Sequence, residues 1–174
     1  MPGSAGTVRD QIFVSVGSNI APAHNVRSVL SRLTRSGILR EVSPTYWTQP
    51  IGIPQAGLFL NLVVRVAWDS DLASLRRQLT RMERALGRTC AQSGWQSRTI
   101  DLDIVLDGDV VTTYGDQPWR VPHPDIDQFA HVAVPLADLA PDMVHPAHGT
   151  TLAEIAHRFA PHDLRAASEV ADAL

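Results

Sequence analysis

The sequence predicts an α+β fold in which strands and helices follow the order β-α-β-β-α-β. Short apolar runs that end in turn residues alternate with segments whose apolar residues recur every three or four positions, which is the spacing of one helix face. The 174 residues are 44% hydrophobic and 19% charged, a balance typical of one globular domain with its own core. We therefore expect residues 11–174 to form a single domain behind a flexible leader, residues 1–10.

The first three elements follow from local residue patterns. Residues 11–16 form an apolar run closed by the turn residues 17–19, which indicates a buried strand. Apolar residues then recur at helical spacing over 26–33, and Gly37 fits a helix C-cap. Residues 38–47 alternate well enough to predict a second strand.

The remaining three elements follow a loop, residues 49–57, that is rich in proline and glycine and longer than a hairpin needs. Residues 58–66 predict a third strand, Asp71 caps a second amphipathic helix that ends near Gly87, and residues 100–106 predict a fourth strand. This order is that of the ferredoxin-like split β-α-β unit, in which two helices cover one face of an antiparallel sheet. The segment up to residue 174 is expected to add loops and one or two helices.

The charged residues exclude several classes of function. Fifteen basic and eighteen acidic side chains give a formal charge of −3, which argues against nucleic-acid or membrane binding driven by bulk charge. All fifteen basic residues are arginines, so guanidinium and imidazole groups must bind any phosphate, and a Schiff-base lysine is excluded. The single cysteine, Cys90, excludes an intrachain disulfide and a four-cysteine zinc site.

The sequence also predicts where the protein acts. Residues 1–10 lack a basic segment followed by an apolar one, and no stretch approaches the roughly 18 apolar residues of a membrane-spanning helix. We expect a cytoplasmic monomer that acts on small molecules and binds neither a membrane nor nucleic acid.

Asp101 and Asp103 alternate with apolar residues on the predicted fourth strand. Side chains two positions apart on a strand point to the same face, so the two carboxylates lie side by side while their apolar neighbours face the core. Such a pair can hold Mg²⁺, which prefers oxygen ligands. The alternative is the solvated face of a half-buried strand, and the pair alone leaves both interpretations open.

Arg88, Trp95 and Arg98 lie around residues 89–97, a segment without hydrophobic period that predicts a mobile loop. Arginines, a carboxylate pair and a loop that closes suit phosphoryl transfer, in which catalysis is mostly positioning and charge neutralisation. The alternative is an ordinary surface loop with exposed arginines.

The histidines carry less information than the acidic pair. His123 lies in a proline-fixed turn, where most histidines are structural or merely exposed. His145 and His148 are not on a regular helix, so the sequence does not predict a zinc-hydrolase site there. Residues 17–19 lack the further glycines of a phosphate cradle and predict a simple turn.

Seven short motifs occur in order between about residue 12 and residue 154. They are Val16-Gly17-Ser18-Asn19, Thr48-x-Pro50-x-Gly52, Phe59-Leu60-Asn61, Glu83-x3-Gly87-Arg88, Trp95-x2-Arg98-Thr99-Ile100-Asp101-Leu102-Asp103, Val121-Pro122-His123-Pro124 and Pro135-Leu136. In this combination the chain strongly resembles the 6-hydroxymethyl-7,8-dihydropterin pyrophosphokinase family of the folate pathway.

This resemblance implies transfer of the β,γ-diphosphate of ATP to the primary alcohol of a pterin, with release of AMP and with magnesium as cofactor. By the same resemblance Asp101 and Asp103 bind two Mg²⁺ ions that bridge ATP and the attacking hydroxyl. Arg88 and Arg98 would neutralise charge as the β-phosphorus is attacked. Two hard cations and arginine forks lower the repulsion between an alcohol oxygen and a polyphosphate, and no covalent intermediate is required.

The resemblance also implies which residues bind the two substrates. The implied ATP-binding residues are Glu83, Trp95, Arg98 and His123. The implied acceptor-binding residues are Thr48, Ile51, Phe59, Asn61 and His131. A flat heterocycle needs an aromatic face and amide partners on its polar edge, which Phe59 and Asn61 offer from one strand face. Without the resemblance the same two residues are explained as a core phenylalanine and a turn-capping asparagine.

The chain departs from the family pattern after the Pro-His-Pro turn. Family members usually have an arginine there that meets phosphate and, two residues later, a phenylalanine that stacks on the pterin, whereas this chain has Phe129 and His131. We expect the imidazole of His131 to titrate near neutrality. Residues 89–94 lack the basic side chains that are usual in the mobile loop of the family, and residues 55–57 also differ from the family pattern. Two alternatives therefore stay open, namely the same transfer to another heterocyclic hydroxymethyl acceptor and a catalytically weak module that binds pterin and ATP.

Overall fold

The computed structural model describes residues 8–52, 55–88, 96–160 and 163–168, and within these ranges a six-stranded antiparallel sheet has helices on both of its faces. In chain order the elements are β1 (Arg9–Ser18), α1 (Pro22–Arg35), β2 (Leu39–Val42), β3 (Tyr46–Thr48), β4 (Phe59–Trp68), α2 (Leu72–Ala85), β5 (Asp101–Asp107), β6 (Thr112–Tyr114), β7 (Trp119–Val121), α3 (Asp125–Gln128), α4 (Ala130–Leu139), α5 (Leu152–Ala156) and β8 (Arg165–Ala166).

Strand β1 lies in the sheet between β4 and β5 and pairs with both of them in antiparallel register. Near its C-terminal end, Gly17 is opposite Asn61 on β4 and opposite Asp101 on β5. This register places an amide and a carboxylate on either side of a residue that has no side chain. The functional site lies at this end of the sheet.

Helices α1 and α2 cover one face of the sheet, as the predicted β-α-β-β-α-β order requires. Helix α1 begins at Pro22, whose fixed φ suits a first helical turn. Asp71 caps α2, because its side chain accepts a 2.6 Å hydrogen bond from the backbone N–H of Ser74. Each helix buries an apolar stripe against β1, β4 and β5. The predicted ferredoxin-like core is therefore confirmed.

The C-terminal segment covers the opposite face of the sheet. Phe13, Val63 and Val105 point to this face and pack against buried residues of α4 and α5. The sequence predicted one or two helices here, whereas the described residues contain three, together with the hairpin β6–β7 and the short strand β8. Helices of four and five residues, such as α3 and α5, are too short to show a helical period in the sequence.

The single strand predicted over 38–47 is two strands, β2 and β3, and this prediction is corrected. Pro44 has no N–H to donate to a strand ladder, so pairing with β4 stops around it. Ser43 bridges the interruption, because its N–H donates to the carbonyl of Val63 and its Oγ accepts from the N–H of Val63, both at 2.9 Å.

The start of the first strand differs from the prediction, and two predicted segments lie wholly or partly outside the described residues. Strand β1 begins at Arg9 rather than at residue 11, because Arg9 pairs with Trp68 and its guanidinium binds Asp107. Residues 1–7 of the predicted leader and 89–95 of the predicted mobile loop lie outside the described residues. In the described ranges, no helix combines the length and the apolar character needed to span a bilayer.

Candidate active site

A cavity of about 370 Å³ lies at the end of the sheet where β1, β4 and β5 meet. This volume falls in the range of about 300–1,000 Å³ that small-molecule sites occupy. The residues singled out from the sequence that line it are Thr48, Ile51, Phe59, Asn61, Arg98, Asp101, Asp103 and His131. The five residues expected to bind the acceptor therefore share one cavity with Arg98 and with the two carboxylates expected to hold metal.

Asp101, at the start of β5, carries a carboxylate that two guanidinium groups share. Nη1 of Arg88 donates to its Oδ1, and Nη1 of Arg98 contacts its Oδ2. Asp103 lines the same cavity, and its more exposed carboxylate lies 3.4 Å from Nη1 of Arg76. The end of the cavity at β5 thus holds two carboxylates whose charge three arginines balance.

Glu83 lies behind this group rather than in it. Its carboxylate is 2% exposed, is absent from the cavity lining, and accepts hydrogen bonds from Arg88 and from the N–H of Leu102, the latter at 2.8 Å. Burial raises the pKa of Glu83, although Arg76, Arg88 and the Leu102 N–H act in the opposite direction. Glu83 holds Arg88 in place. Arg88 in turn contacts Asp101, which lines the cavity, so Glu83 is separated from the cavity by these two side chains.

Glu83→Gln tests this supporting role, because it keeps the shape of the side chain and removes the charge that Arg76 and Arg88 share. We expect the free energy of unfolding to fall by about 2 kcal/mol, since the amide of glutamine places an N–H donor against one of the two arginines from which Glu83 accepts hydrogen bonds. Glu41→Gln, in an exposed pair with Arg65, is the matched control and should cost less than about 1 kcal/mol. Denaturant titration measures both, and equal losses would contradict the role.

Arg76 is a site residue that the sequence reasoning missed. Its Nη1 donates to the carbonyl of Leu102 on β5, and its guanidinium lies 4.8 Å from the ring centroid of Trp119. The sequence held a signal, because Arg76 and Glu83 are seven residues apart on the face of α2 that is otherwise apolar. Two opposite charges on a buried helix face indicate a partnered pair.

Ser18 and Asn19 were interpreted as part of a simple turn, and the structure gives them a larger role. Ser18 Oγ donates a 2.5 Å hydrogen bond to the carbonyl of Thr99. Asn19 Oδ1 accepts from the N–H of Arg98 at 2.7 Å, and Asn19 Nδ2 donates to Ser97 Oγ at 3.1 Å and to the carbonyl of Gly57 at 3.4 Å. These contacts fix the segment that carries Arg98 against the end of β1.

The acceptor side of the cavity is built around Asn61 on β4. Its Nδ2 donates to Thr48 Oγ1 at 2.8 Å and to the carbonyl of Phe59 at 3.3 Å. A Cβ at Gly17 would lie 3.2 Å from Asn61 Oδ1, so glycine at this position leaves room for the amide. Phe59 and Ile51 add apolar surface to the same wall.

His131 and Phe129, at the start of α4, also line the cavity. Their rings are stacked, with centroids 5.3 Å apart and planes inclined by 23°. Burial lowers the pKa of His131 to about 4. The expectation that this imidazole titrates near neutrality is therefore wrong, and the ring is neutral at pH 7.

Among the described residues, Glu83, Arg88 and His123 were also predicted for the site but do not line the cavity. The N–H of His123 donates to the carbonyl of Val105 at 2.8 Å, and its Nδ1 accepts from the N–H of Asp125 at 3.3 Å. Asp125, which the sequence reasoning missed, does line the cavity, and burial raises the pKa of its carboxyl group. Trp95 lies outside the described residues.

Two carboxylates, flanking arginines and an aromatic wall with an amide beside it share one cavity, a set of side chains typical of enzymes that act on charged small molecules. Comparisons with known proteins give the particular family. The family model of 7,8-dihydro-6-hydroxymethylpterin-pyrophosphokinase (HPPK) matches residues 13–141. The chain belongs to this family of pyrophosphokinases of folate biosynthesis, and the resemblance predicted from the seven motifs is confirmed.

Curated relatives agree with this assignment. The 2-amino-4-hydroxy-6-hydroxymethyldihydropteridine pyrophosphokinase of Pseudomonas aeruginosa is 37% identical over 142 residues, covering 78% of this chain and 84% of the relative. The enzyme of the same name from Porphyromonas gingivalis is 33% identical over 139 residues, covering 78% of this chain and 93% of the relative.

Solved structures show the same fold. An HPPK-DHPS protein of Plasmodium falciparum superposes with a TM-score of 0.69 at 12% identity, covering 90% of this chain and 46% of that chain. A second HPPK-DHPS structure has a TM-score of 0.62, with 86% of this chain and 43% of the other covered. The chain thus spans less than half the length of these larger proteins, and at this identity the likeness shows the fold alone.

Proposed function

We propose that this chain transfers the β,γ-diphosphate of ATP to the primary alcohol of 6-hydroxymethyl-7,8-dihydropterin and releases AMP. The alcohol oxygen would bond to the β-phosphorus while the bond from that phosphorus to the α-phosphate oxygen breaks. The single observation that supports this most is the register at Gly17, which puts Asn61 and Asp101 on either side of one cavity. A pterin held at Asn61 and a phosphate held near Asp101 would then be neighbours, and positioning the two substrates side by side is the main requirement of this transfer.

Asp101 and Asp103 would hold magnesium, and two ions fit the expectation from the family resemblance. The donor set supports this, because both side chains offer carboxylate oxygens to the same cavity and Mg²⁺ prefers such ligands. When bound, magnesium neutralises phosphate charge and favours departure of the leaving oxygen.

The arginines would divide the work of binding the triphosphate. Arg98 lines the cavity and is within reach of a phosphate, whereas Arg88 is held between Glu83 and Asp101 behind the lining. We assign Arg98 to direct phosphate contact and Arg88 to orienting Asp101. Glu83, expected from the resemblance to lie close to ATP, would act as a positioning residue through Arg88. His123, held beside Asp125 at the rim of the cavity, would contact the outer phosphates.

The acceptor would lie between Phe59 and His131. An aromatic ring on each side suits a flat pterin, and the neutral imidazole adds no buried charge next to it. Asn61 and Thr48 would hydrogen-bond the polar edge of the ring.

Measuring AMP release with ATP, Mg²⁺ and a panel of primary alcohols tests the proposed reaction. Activity on 6-hydroxymethyl-7,8-dihydropterin is the expected result. Activity on another heterocyclic alcohol alone would replace the acceptor and keep the chemistry. Release of AMP with none of the alcohols, from a protein that binds ATP, would leave a binding module and refute the proposal.

His131→Phe tests the wall that departs from the family pattern. We expect 6-hydroxymethyl-7,8-dihydropterin to bind about fivefold more tightly, because a phenyl ring adds aromatic contact worth about 1 kcal/mol. Fluorescence titration of the acceptor in the presence of an unreactive ATP analogue measures this, with His157→Phe as a surface control. An unchanged Kd would place residue 131 outside the acceptor site.

The same variant has an expected effect on the pH dependence of stability. Below about pH 6.5 the unfolded chain binds a proton at His131, whereas the folded chain does so only near pH 4. The folded state therefore loses stability as the pH falls through this window, and His131→Phe should remove that part of the loss. Denaturant titrations between pH 4.5 and 7 measure it, and parallel curves for the two proteins would contradict the low pKa.

A further inference from the structure

Outside the cavity, three side chains with metal-ligating atoms converge beside α3. Asp127 lies on α3, and His145 and His148 lie on the turn that precedes α5. One potential ligand atom from each residue lies within 4.8 Å of the other two. None of the three residues lines the cavity.

His145 is the member of this cluster that points most clearly to a ligand. It is 3% exposed, and its Nε2 is buried without a hydrogen-bond partner among the described residues. A buried polar atom without a partner is unfavourable, and native proteins rarely keep one without a reason. The ring is stacked on that of His148, with centroids 4.1 Å apart.

The backbone holds the two imidazoles together. The N–H of His145 donates to the carbonyl of Thr150 at 2.8 Å, and its own carbonyl accepts from Gly149 at 2.9 Å and from His148 at 3.3 Å. Gly149 has a φ of +73°, which permits the tight turn. Both rings are therefore presented on the same side of a closed turn.

The ligand atoms of His148 and Asp127 already have the separation expected of two ligands on one metal ion. His148 Nε2 lies 3.2 and 3.3 Å from the two carboxylate oxygens of Asp127. Two ligand atoms bound about 2.0–2.2 Å from a tetrahedral zinc ion are roughly 3.3–3.5 Å apart. Only the ring of His145 has to turn out of its stacked position to complete a three-ligand set.

We propose that Asp127, His145 and His148 bind a divalent transition-metal ion, with zinc as the preferred ion and water in the remaining position. Two imidazole nitrogens and one carboxylate oxygen suit zinc and disfavour magnesium, whose ligands are oxygens. The ion joins α3 to the turn before α5 and so braces the residues of α3, Asp125 and Gln128, that line the cavity.

Besides the hydrogen bond between His148 Nε2 and Asp127, whose proton the ion replaces, two contacts give way when the ion binds. Arg158 Nη1 lies 3.6 Å from Asp127 Oδ1, and its side chain is 52% exposed, so it can turn to solvent. The N–H of Ala147 lies 3.4 Å from His145 Nδ1, a long contact that is lost when Nδ1 carries the proton and Nε2 binds the ion. Both contacts are weak compared with a metal–nitrogen bond.

The test is a Co²⁺ titration of the full chain, stripped of metal with a chelator and kept in excess Mg²⁺ to occupy the carboxylate pair in the cavity. We expect one Co²⁺ per chain with the intense visible absorption of a four- or five-coordinate site, displaced by one equivalent of Zn²⁺. Asp127→Asn and His148→Ala should each weaken Co²⁺ binding by more than about thirtyfold. Both positions are on the surface, and circular dichroism checks that the variants fold.

Two control variants separate this site from the others. His24→Ala, on the exposed side of α1, and Asp103→Asn, in the cavity, should leave Co²⁺ affinity and absorption unchanged. In addition, Zn²⁺ should raise the melting temperature of the unsubstituted chain and not that of His148→Ala. Absence of Co²⁺ binding, or binding that is lost in Asp103→Asn and kept in His148→Ala, overturns the proposal.

Discussion

Asp103→Ala and Asp101→Ala should each lower turnover by more than about a hundredfold. In the proposed metal site, the loss of one hard oxygen ligand would misposition magnesium and leave the charge of the polyphosphate unbalanced. Both carboxylates line the cavity, and no other described residue of β5 offers a carboxylate there. Steady-state release of AMP, measured over a range of Mg²⁺ concentrations, gives the size of the effect. Near-normal turnover at low Mg²⁺ would remove the substituted residue from the metal site.

The two variants are expected to differ in stability. The variant that unfolds at nearly the unsubstituted denaturant concentration is the better test of the role in turnover. Asp101 is 17% exposed and holds Arg88 and Arg98 together, so its removal leaves two guanidinium groups facing each other. The side chain of Asp103 is 41% exposed, and its Oδ1 makes a longer contact, 3.4 Å, with Nη1 of Arg76. We expect Asp103→Ala to unfold at nearly the unsubstituted denaturant concentration and Asp101→Ala to unfold earlier. Asp103→Ala therefore isolates the chemical effect.

Arg98→Ala should lower kcat by about a hundredfold or more while weakening ATP binding much less. Burial lowers the pKa of Arg98 and the nearby Arg88 adds to this, yet an arginine stays charged at neutral pH. Two cations held close together are best compensated when negative charge builds up on the transferring phosphates. The interaction is therefore strongest in the transition state, where it raises kcat.

Two measurements test this assignment. One is the activity of Arg98→Lys, and the other is the separate determination of kcat and of the Kd of ATP for Arg98→Ala. Lysine should restore little, because a point charge does not reproduce a bidentate fork on phosphate. Arg88→Lys is the matched comparison, since Arg88 contacts Glu83 and Asp101 and does not line the cavity. If Arg98→Ala loses ATP affinity and keeps its kcat, Arg98 acts in ground-state binding and the assignment is wrong.

The core of the fold was predictable because its signals are local. The apolar runs of β1 and β4, the alternation in β5 and the stripes of α1 and α2 each lie within 14 residues. The split of residues 38–47 at Pro44 was missed, although proline cannot donate to the ladder and is itself a local signal. The second helical layer was missed in part because four- and five-residue helices have no measurable period.

The site residues likewise divide into those that a sequence pattern indicates and those that only the fold brings together. The spacing of Asp101 and Asp103 predicted that they share one strand face, the family motifs added Phe59, Asn61 and Arg98, and the structure places all five in the lining of one cavity. Arg76 and Asn19 act through partners 26 and 79 residues away along the chain, a pairing that only the folded register creates. The pKa of His131 is lowered by burial, which is a property of the folded chain that no local sequence pattern reports.

The hydrogen bonds of Asn19 would connect the two substrates energetically if they bind as proposed. One amide side chain accepts from the N–H of Arg98, which we assign to phosphate, and donates to the carbonyl of Gly57, in the loop that leads to β4, which we assign to the acceptor. A ligand that tightens one of these segments makes the other less costly to order. Thermodynamic reciprocity then requires that the factor by which ATP changes the Kd of the acceptor equals the factor by which the acceptor changes the Kd of ATP. Asn19→Ala would move both factors toward one, so that each substrate binds as if the other were absent.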